Sequence, residues 1–535
     1  MLEKGWLAWL GIVLALAVSW LSIDAQKPPP AVPADAPAEV FSAARAIKHV
    51  EAIAREPHPT GSPEAERVRK VLVKKLEELG LSPEIQMPVD LDAPERNVLA
   101  RLKGRGSSGK KALMLCAHYD SVPSGPGAGD DASGVAVVLE TLRAVKAGPP
   151  PDRDVIALLD DGEEKGLLGA SLFVDEHPWA KEVGVVLNFD SRGNSGPSFM
   201  FETSDGNGWL IHQFAQGTPH PLATSLSMDI YRIMPNNTDM TIFKGAGKGG
   251  LNYAFGGGFG YYHTAEDTPA NLKLSTLQHH GENALAMTRR LGGLDLDHTK
   301  RDDVVYTSIL SRFVLSYPRS WAWPLAQAAA LLSIVVVGVS LGKGRVRLVD
   351  LAAGAGIWLF AAWASILAAG TFWLVLREVL SNVGVRWWML DLPLMAVCAL
   401  IAAGVTLGVE RLSAHRRSLL ALSLGALFWW LAAALATAQW LPGASYLFVW
   451  PTLFGLLGLG VAILSRVGST TAWVAIVLCS VPVLVVMPPL MYNTFEGLGL
   501  RLAAPTMILV TLFLGAILPL LGPIVMPDPR ARNLS

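Results

Sequence analysis

The chain has 535 residues, of which 51% are hydrophobic and 17% charged, a balance too apolar for a soluble globular protein of this length, so part of it must lie in lipid. A formal net charge of -1, with no concentrated basic face, gives no footing for a nucleic-acid partner held through its phosphates. Three cysteines, Cys116, Cys398 and Cys479, with no CxxC spacing, suggest neither a disulfide framework nor a thiolate zinc site.

Residues 1–25 read as a transmembrane anchor, because Trp6 to Ile23 is free of charge and long enough to cross a hydrocarbon core of about 30 Å. A cleaved signal peptide is the alternative; an uncleaved anchor is preferred because no compact A-x-A site directly follows. Residues 26–40 are a Pro/Ala-rich linker, stiffest from Pro28 to Pro37. Residues 41–300 alternate charged helical patterns, such as Glu64 to Leu79, with short apolar runs at Ala112 to Cys116, Val155 to Leu159 and Val183 to Phe189. That alternation predicts an α/β domain with a mostly parallel mixed central sheet flanked by helices. Residues 301–320 read as a second linker.

From 321 to 527 the texture predicts an α-helical multi-span membrane domain of seven helices, at roughly 322–341, 351–376, 387–409, 419–441, 446–464, 470–492 and 503–526, with a cytoplasmic tail at 528–535. The positive-inside rule tests this count. Lys4, Lys343, Arg345, Arg347, Arg411, Arg416, Arg417, Arg466, Arg530 and Arg532 fall on one side, and Arg377, Arg386 and Arg501 on the other. Ten against three favours eight spans, both termini cytoplasmic and residues 24–320 external. Ionisable residues are sparse within the spans; Asp391 and Glu410 lie near segment ends, so an ion pathway has little support. Pro451, Pro482, Pro488 and Pro489 are tolerated in membrane helices without transport. The block is expected to anchor and scaffold, with substrate handling or assembly as the alternative.

Chemistry concentrates just after the apolar runs of the α/β domain, at strand C-terminal ends, where open α/β sheets hold their ligands. In order these are His118-Tyr-Asp120, Gly129-Asp130-Asp131-Ala-Ser133-Gly134, Asp160-Asp161-Gly162-Glu163-Glu164, Asp190-Ser-Arg-Gly193 and Tyr262-His263-Thr264-Ala-Glu-Asp267. A lone His or Glu-Glu pair in a loop is ordinary surface chemistry. Two imidazoles with several carboxylates, each after a strand and a glycine-bearing turn, form a mixed N/O set that suits zinc or a similar first-row metal rather than calcium.

The motifs HYDSV, GDDASG, DGEEKGLLG, LNFD and YYHTAEDT, in this order over about residues 45–292, resemble those of the two-zinc aminopeptidases, which include bacterial leucyl aminopeptidases and aminopeptidase Y. The resemblance implies two zinc ions per chain, with Asp130 bridging both, His118 and Asp190 completing one site, and Glu164 and His263 the other. It also implies Glu163 as general base and Tyr262 as the residue that steadies the oxyanion; packing of the strand is the plainer role for Tyr262. The residue types fit: a carboxylate can join two cations, and an imidazole cannot. Adjacent glutamates point differently in a turn, so one can bind metal while the other moves a proton. Asp120, on the same strand end as His118, is suited to fixing its tautomer, or to capping the turn. Asp131, Asp160 and Asp161 read as turn or supporting residues rather than ligands.

A narrower resemblance, through Pro235-Asn-Asn237-Thr238-Asp239, Gly249-Gly250-Leu251 and the trailing apolar block, is to the endoplasmic reticulum metallopeptidase and vacuolar membrane protease branch. The shorter chain favours a bacterial inner-membrane setting with a periplasmic peptidase domain, or a luminal one if eukaryotic. The sequon Asn236-Asn237-Thr238 carries little weight at three residues. The implied function is a zinc metallo-exopeptidase, an aminopeptidase acting on peptide substrates. Three alternatives stay open: a carboxypeptidase, a glutaminyl-cyclase-like enzyme on the same fold, and a transporter or receptor that binds peptides without cleaving them. The five-ligand set opposes a one-zinc cyclase, and the intact base opposes a pure binder. The pattern does not fix an oligomeric state.

Overall fold

A computed structural model describes residues 5–90, 92–383, 391–414, 418–465, 469–498 and 503–525. The chain forms two compact units, one of residues 27–318 and the other of 1–26 with 319–535. Helix α1 (Gly5–Asp24) belongs to the second unit.

The first unit contains α2 (Ala43–Ile53), α3 (Pro63–Glu78), β1 (Glu84–Gln86), β2 (Asn97–Leu102), β3 (Ala112–His118), α4 (Ala132–Ala147), β4 (Val155–Asp160), α5 (Leu168–Glu176) and β5 (Val183–Ser191). It continues through β6 (Phe199–Thr203), α6 (Gly208–Gly217), α7 (Ser225–Ile233), α8 (Asp239–Gly245), β7 (Gly249–Phe255), α9 (Leu274–Leu291), β8 (Val304–Ile309) and β9 (Phe313–Pro318). Seven strands form one sheet in the order β1-β2-β4-β3-β5-β7-β6. The four inner strands β4, β3, β5 and β7 run parallel, and β2, β1 and β6 are antiparallel to their neighbours.

The composition of β3 and β4 explains this placement. Both are apolar at nearly every position and buried throughout, the texture of parallel strands covered on both faces. Alternate residues serve opposite cores: Leu113, Leu115, Ala117, Val155, Ala157 and Leu159 pack with α2, α3, α4 and α9. Ala112, Met114, Cys116, Ile156 and Leu158 pack with residues of α5 and α8. Helix α3 starts where the sequence signals it, with Ser62 accepting from Ala65 N at the N-cap, Pro63 in the first turn and Glu64 and Glu66 beside it.

Both linker expectations need revision. The Pro/Ala-rich stretch is fastened to the α/β unit: Ser42 Oγ donates to Val32 O and Pro33 O at 2.9 Å, Arg45 Nη1 to Ala34 O and Ala36 O at 2.9 Å, and Val32 N donates to Gln278 Oε1 at 3.0 Å. A proline-rich backbone is short of N–H donors, and its free carbonyls suit hydroxyl and guanidinium donors. Residues 301–320 hold the β8–β9 hairpin rather than a linker. Its turn has Leu310 and Ser311 at positive φ, with none of the glycine or asparagine that marks a hairpin in sequence.

The second unit contains, after α1, α10 (Ala322–Gly342), α11 (Leu348–Asn382), α12 (Asp391–Ala414), α13 (Leu419–Trp440), α14 (Tyr446–Leu464), α15 (Thr470–Leu498) and α16 (Ala503–Val525). Among the described residues six helices are long and apolar enough to cross a membrane, and two shorter apolar stretches lie at Trp9–Asp24 and Ala504–Leu520. A Cβ on Gly425 of α13 would lie 2.5 Å from the backbone of Gly354 in α11, so that crossing depends on paired small residues. Lys4, Arg386, Arg416, Arg417, Arg466, Arg501, Arg530, Arg532 and the 528–535 tail lie outside the described residues.

Candidate metal centre

The parallel strands deliver the chemistry to one edge of the sheet. Strand β3 ends in His118, β4 leads into the Asp161–Glu164 turn, Asp190 lies near the end of β5, and Tyr262 and His263 follow β7. Asp130 precedes α4, whose N-cap is Asp131. Two three-residue groups result, His118–Asp130–Asp190 and Asp130–Glu164–His263, in each of which one ligand atom per residue lies within 4.8 Å of the others. The two oxygens of Asp130 divide between the groups: His118 Nε2 is 3.1 Å from Oδ1, and His263 Nε2 is 3.0 Å from Oδ2 and 2.9 Å from Glu164 Oε1. All five residues expected as ligands are thus together, with Asp130 common to both groups.

Asp120 ties three of these pieces. Its Oδ1 accepts from Glu163 N at 3.1 Å, and its Oδ2 accepts from Glu164 N at 3.3 Å and Thr60 Oγ1 at 3.1 Å. His118 Nδ1 lies 3.1 Å from Asp120 O and 3.3 Å from Oδ1. A proton on Nδ1 satisfies either contact and leaves the Nε2 lone pair for a ligand on the Asp130 side. Asp267 does the same for the Asp130 loop, with Oδ1 accepting from Gly129 N at 2.7 Å and Oδ2 from Asp130 N at 3.2 Å. Gly129 has no room for a side chain, since a Cβ there would sit 2.2 Å from Gly193 O. The loops bearing Asp130 and Asp190 therefore touch through backbone. Gly162, at φ 90°, makes the turn that presents Glu163 and Glu164.

The remaining expected residues have distinct positions. Glu163 is partly buried at the turn. Tyr262 lies flat on His263, ring centroids 3.7 Å apart and planes 18° apart. Asp131 caps α4 through Gly134 N at 3.0 Å, and Asp161 accepts from Arg96 N and Tyr119 Oη, both at 3.0 Å, so both serve local structure. Asp160 packs with Cys116 and Asp239 in a third buried group. Burial and the Asp160 charge hold the Cys116 thiol well above its usual value, which favours its protonated form.

Charge is crowded here. Burial, with the Asp130 charge, pushes the Asp190 carboxyl up to about 7, and burial raises Glu164. Glu163 rises well above the usual carboxylate range through burial and the charges of Asp239, Asp190 and Asp130, against the pull of His118. For Asp130 burial is outweighed by hydrogen bonds from His118 and His263, which bring it down to about 2. His263 resists the effect of burial through its bonds to Asp130 and Glu164 and rises to about 10; His118 is likewise held well above its usual value by Asp120 and Asp130. Protons thus stabilise a nest of carboxylates that a divalent cation would stabilise in their place. The donor set, imidazole and carboxylate with one carboxylate between two groups, fits a pair of zinc-type ions.

Sequence reading missed Asp267 and Thr60 as supports of the cluster. Asp267 has a signal, since it shares the His263 motif; Thr60 has none, because it reaches Asp120 across 60 positions of sequence.

The comparisons follow this geometry. Residues 97–288 match the model of peptidase family M28. Endoplasmic reticulum metallopeptidase 1 of Mus musculus is 28% identical over 314 residues, covering 56% of this chain and 34% of that protein. Vacuolar membrane protease of Candida dubliniensis is 34% identical over 244 residues, covering 45% of this chain and 25% of that protein. The chain thus spans about a third or less of the length of these curated relatives. The solved structure of BSAP, a zinc aminopeptidase from Bacillus subtilis, aligns at 16% identity over 46% of this chain and 94% of its own, with a TM-score of 0.37. Residues 97–288, which hold the whole cluster, are thus similar to peptidase family M28 and are joined in this chain to a block of helices of membrane-crossing length.

Proposed function

We propose that this chain is a membrane-anchored zinc metallo-exopeptidase that removes N-terminal residues from peptides on the external face of the membrane, the periplasm in a bacterium. The observation that carries the reading is the division of the Asp130 oxygens between two three-residue groups. His118 and Asp190 would hold one zinc, Glu164 and His263 the other, and Asp130 both. When bound, the ions supply Lewis acidity toward the scissile carbonyl and lower the pKa of water at the site.

The chain supplies the rest. The Glu163 carboxylate takes a proton from the attacking water and delivers it to the leaving amine nitrogen. Asp120 fixes the His118 tautomer and the backbone on which Glu163 rides. Burial and the surrounding carboxylates hold the Tyr262 hydroxyl far above its usual pKa, so it stays protonated as a donor to the developing oxyanion. External orientation rests on the excess of Lys and Arg in the alternate loops of the helical block.

The test uses purified full-length protein with zinc and matched peptides with free and N-acetylated termini. Stepwise loss of N-terminal residues from the free peptides alone, abolished in Glu163→Gln, is the expected result. Cleavage from the C-terminus would turn the reading to a carboxypeptidase, cyclisation of N-terminal glutamine to a cyclase, and binding without reaction to a receptor.

A further inference from the structure

We propose that Arg192 forms a carboxylate-binding subsite beside the metal centre, selecting peptides with a C-terminal carboxylate or an acidic side chain next to the scissile bond. The inference rests on the peptidase reading of the site and names a substrate class for it.

Arg192 stands two residues beyond Asp190, and its backbone N–H donates to Phe255 O at 2.8 Å, which fixes the base of the side chain between the ends of β5 and β7. Its guanidinium carbon lies 5.3 Å from the Phe259 ring centroid and 5.8 Å from that of Tyr262. Phe259 and Tyr262 are themselves stacked at 5.9 Å, and Tyr262 is stacked on His263 at 3.7 Å. One aromatic ring therefore separates a full positive charge from an expected ligand imidazole.

Arg45, Arg67, Arg101, Arg143, Arg153 and Arg232 of this unit each meet a carboxylate within 4.0 Å. Among the described residues Arg192 has no such partner, and its guanidinium makes no hydrogen bond. Aromatic faces hold the plane of a guanidinium while leaving its N–H edge unused, and that edge matches a carboxylate in bidentate fashion. The reach is right: two extended residues span about 7 Å, so the carboxylate of a dipeptide ends within one residue of the bond being cut. Two divalent cations would offset the charges of Asp130, Asp190, Glu163 and Glu164, so the Arg192 guanidinium adds positive charge beside a centre that would no longer repel an anionic peptide.

The experiment compares Ala-Ala, Ala-Ala-amide, Ala-Glu-amide, Glu-Ala-amide and Ala-Lys-amide as substrates of the zinc-loaded full chain. One or more of the carboxylate-bearing peptides is expected to exceed Ala-Ala-amide by about 10- to 100-fold in kcat/KM, chiefly through KM, the size of a charge-assisted hydrogen bond. The peptide that gains identifies the source as terminal carboxylate or side chain. Arg192→Gln should collapse that ratio toward one, and Arg192→Lys should retain part of it. Equal rates on all five peptides in the unsubstituted protein overturn the inference. So does a parallel fall on all five in Arg192→Gln, which would reduce Arg192 to a brace for Tyr262. Calorimetric binding of Ala-Ala and Ala-Ala-amide to Glu163→Gln protein separates the claims. Arg192-dependent discrimination without any cleavage by the unsubstituted protein would sink the peptidase reading and leave the subsite standing. Cleavage without discrimination would do the reverse.

Discussion

Replacing Asp120 with Asn changes almost no volume and tests the central support of the cluster. The carboxylate is fully buried and faces four donors: His118 Nδ1 and Glu163 N toward Oδ1, and Glu164 N and Thr60 Oγ1 toward Oδ2. An amide offers one oxygen and one NH2 group, so it must turn a donor toward one of these pairs. Turning it toward His118 and Glu163 strands Glu163 N, leaves His118 Nδ1 with Asp120 O alone and presses a second donor against it. Turning it toward Glu164 and Thr60 strands only Glu164 N, because the Thr60 hydroxyl can rotate to accept. Even this better orientation leaves one partly buried N–H unmet and removes charge from three further bonds, a loss of about 2–4 kcal/mol in folding stability. The weakened hold on His118 should lower zinc affinity or turnover by about 10- to 100-fold. Zinc competition against a graded chelator and kcat/KM on a free dipeptide measure the second effect, and thermal unfolding of the full chain in detergent the first. Zinc affinity and turnover both within about twofold of the parent would refute the supporting role of Asp120.

Removal of metal should make stability fall as pH rises. Asp190 and Asp267, both pushed up to about 7 by burial, and Asp160, at about 8, keep protons that the unfolded chain releases near pH 3.9. His263, at about 10 against an ordinary 6.5, gives the same sign of slope above pH 6.5, while Asp130, at about 2, acts oppositely only below about pH 4. Buried His49 and His279, held down to about 4, and His280, held down to about 3, oppose this slope below pH 6.5, so the Tm of chelated protein should drop between pH 6.5 and 8, and added zinc should raise it more at pH 8 than at pH 6.5; a flat or rising chelated profile over that range contradicts this. Asp267→Ala strands Gly129 N and Asp130 N and should cost about 1–3 kcal/mol for each, with weaker zinc binding read by the same chelator competition. Gly129→Ala drives a methyl against Gly193 O and should destabilise by about 1–3 kcal/mol or more, visible as a lowered Tm.

The strands and the site differ in how they announce themselves. Runs such as Ala112 to Cys116 and Val155 to Leu159 are buried on both faces, so their composition alone marks them as inner parallel strands. The residues at their ends are legible because backbone geometry puts glycine and metal-binding chemistry side by side in sequence. Antiparallel β1, β2 and β6 are short or mixed in character and carry no comparable signal. The hairpin at Val304–Pro318 turns through leucine and serine, and composition there resembles a connector. Thr60 is invisible for a different reason: its role exists only through Asp120, a contact that no local pattern encodes. That Arg192 has no carboxylate partner among the described residues is likewise a fact about its surroundings in space.

The order in which the ribosome releases these residues bears on when the centre can exist. His118 and Asp130 are 12 positions apart, but Asp130 and His263 are separated by 133. A nascent chain that has delivered Asp190 and not yet β7 holds half a centre on an unfinished sheet, since β5 still lacks its neighbour on that side. Long-range closure of this kind is slow, so the second half is among the last features to form. If metal is bound as proposed, it would be acquired in the compartment where the sheet is completed, and a chain interrupted before His263 would leave Asp130 with only the His118–Asp190 group beside it.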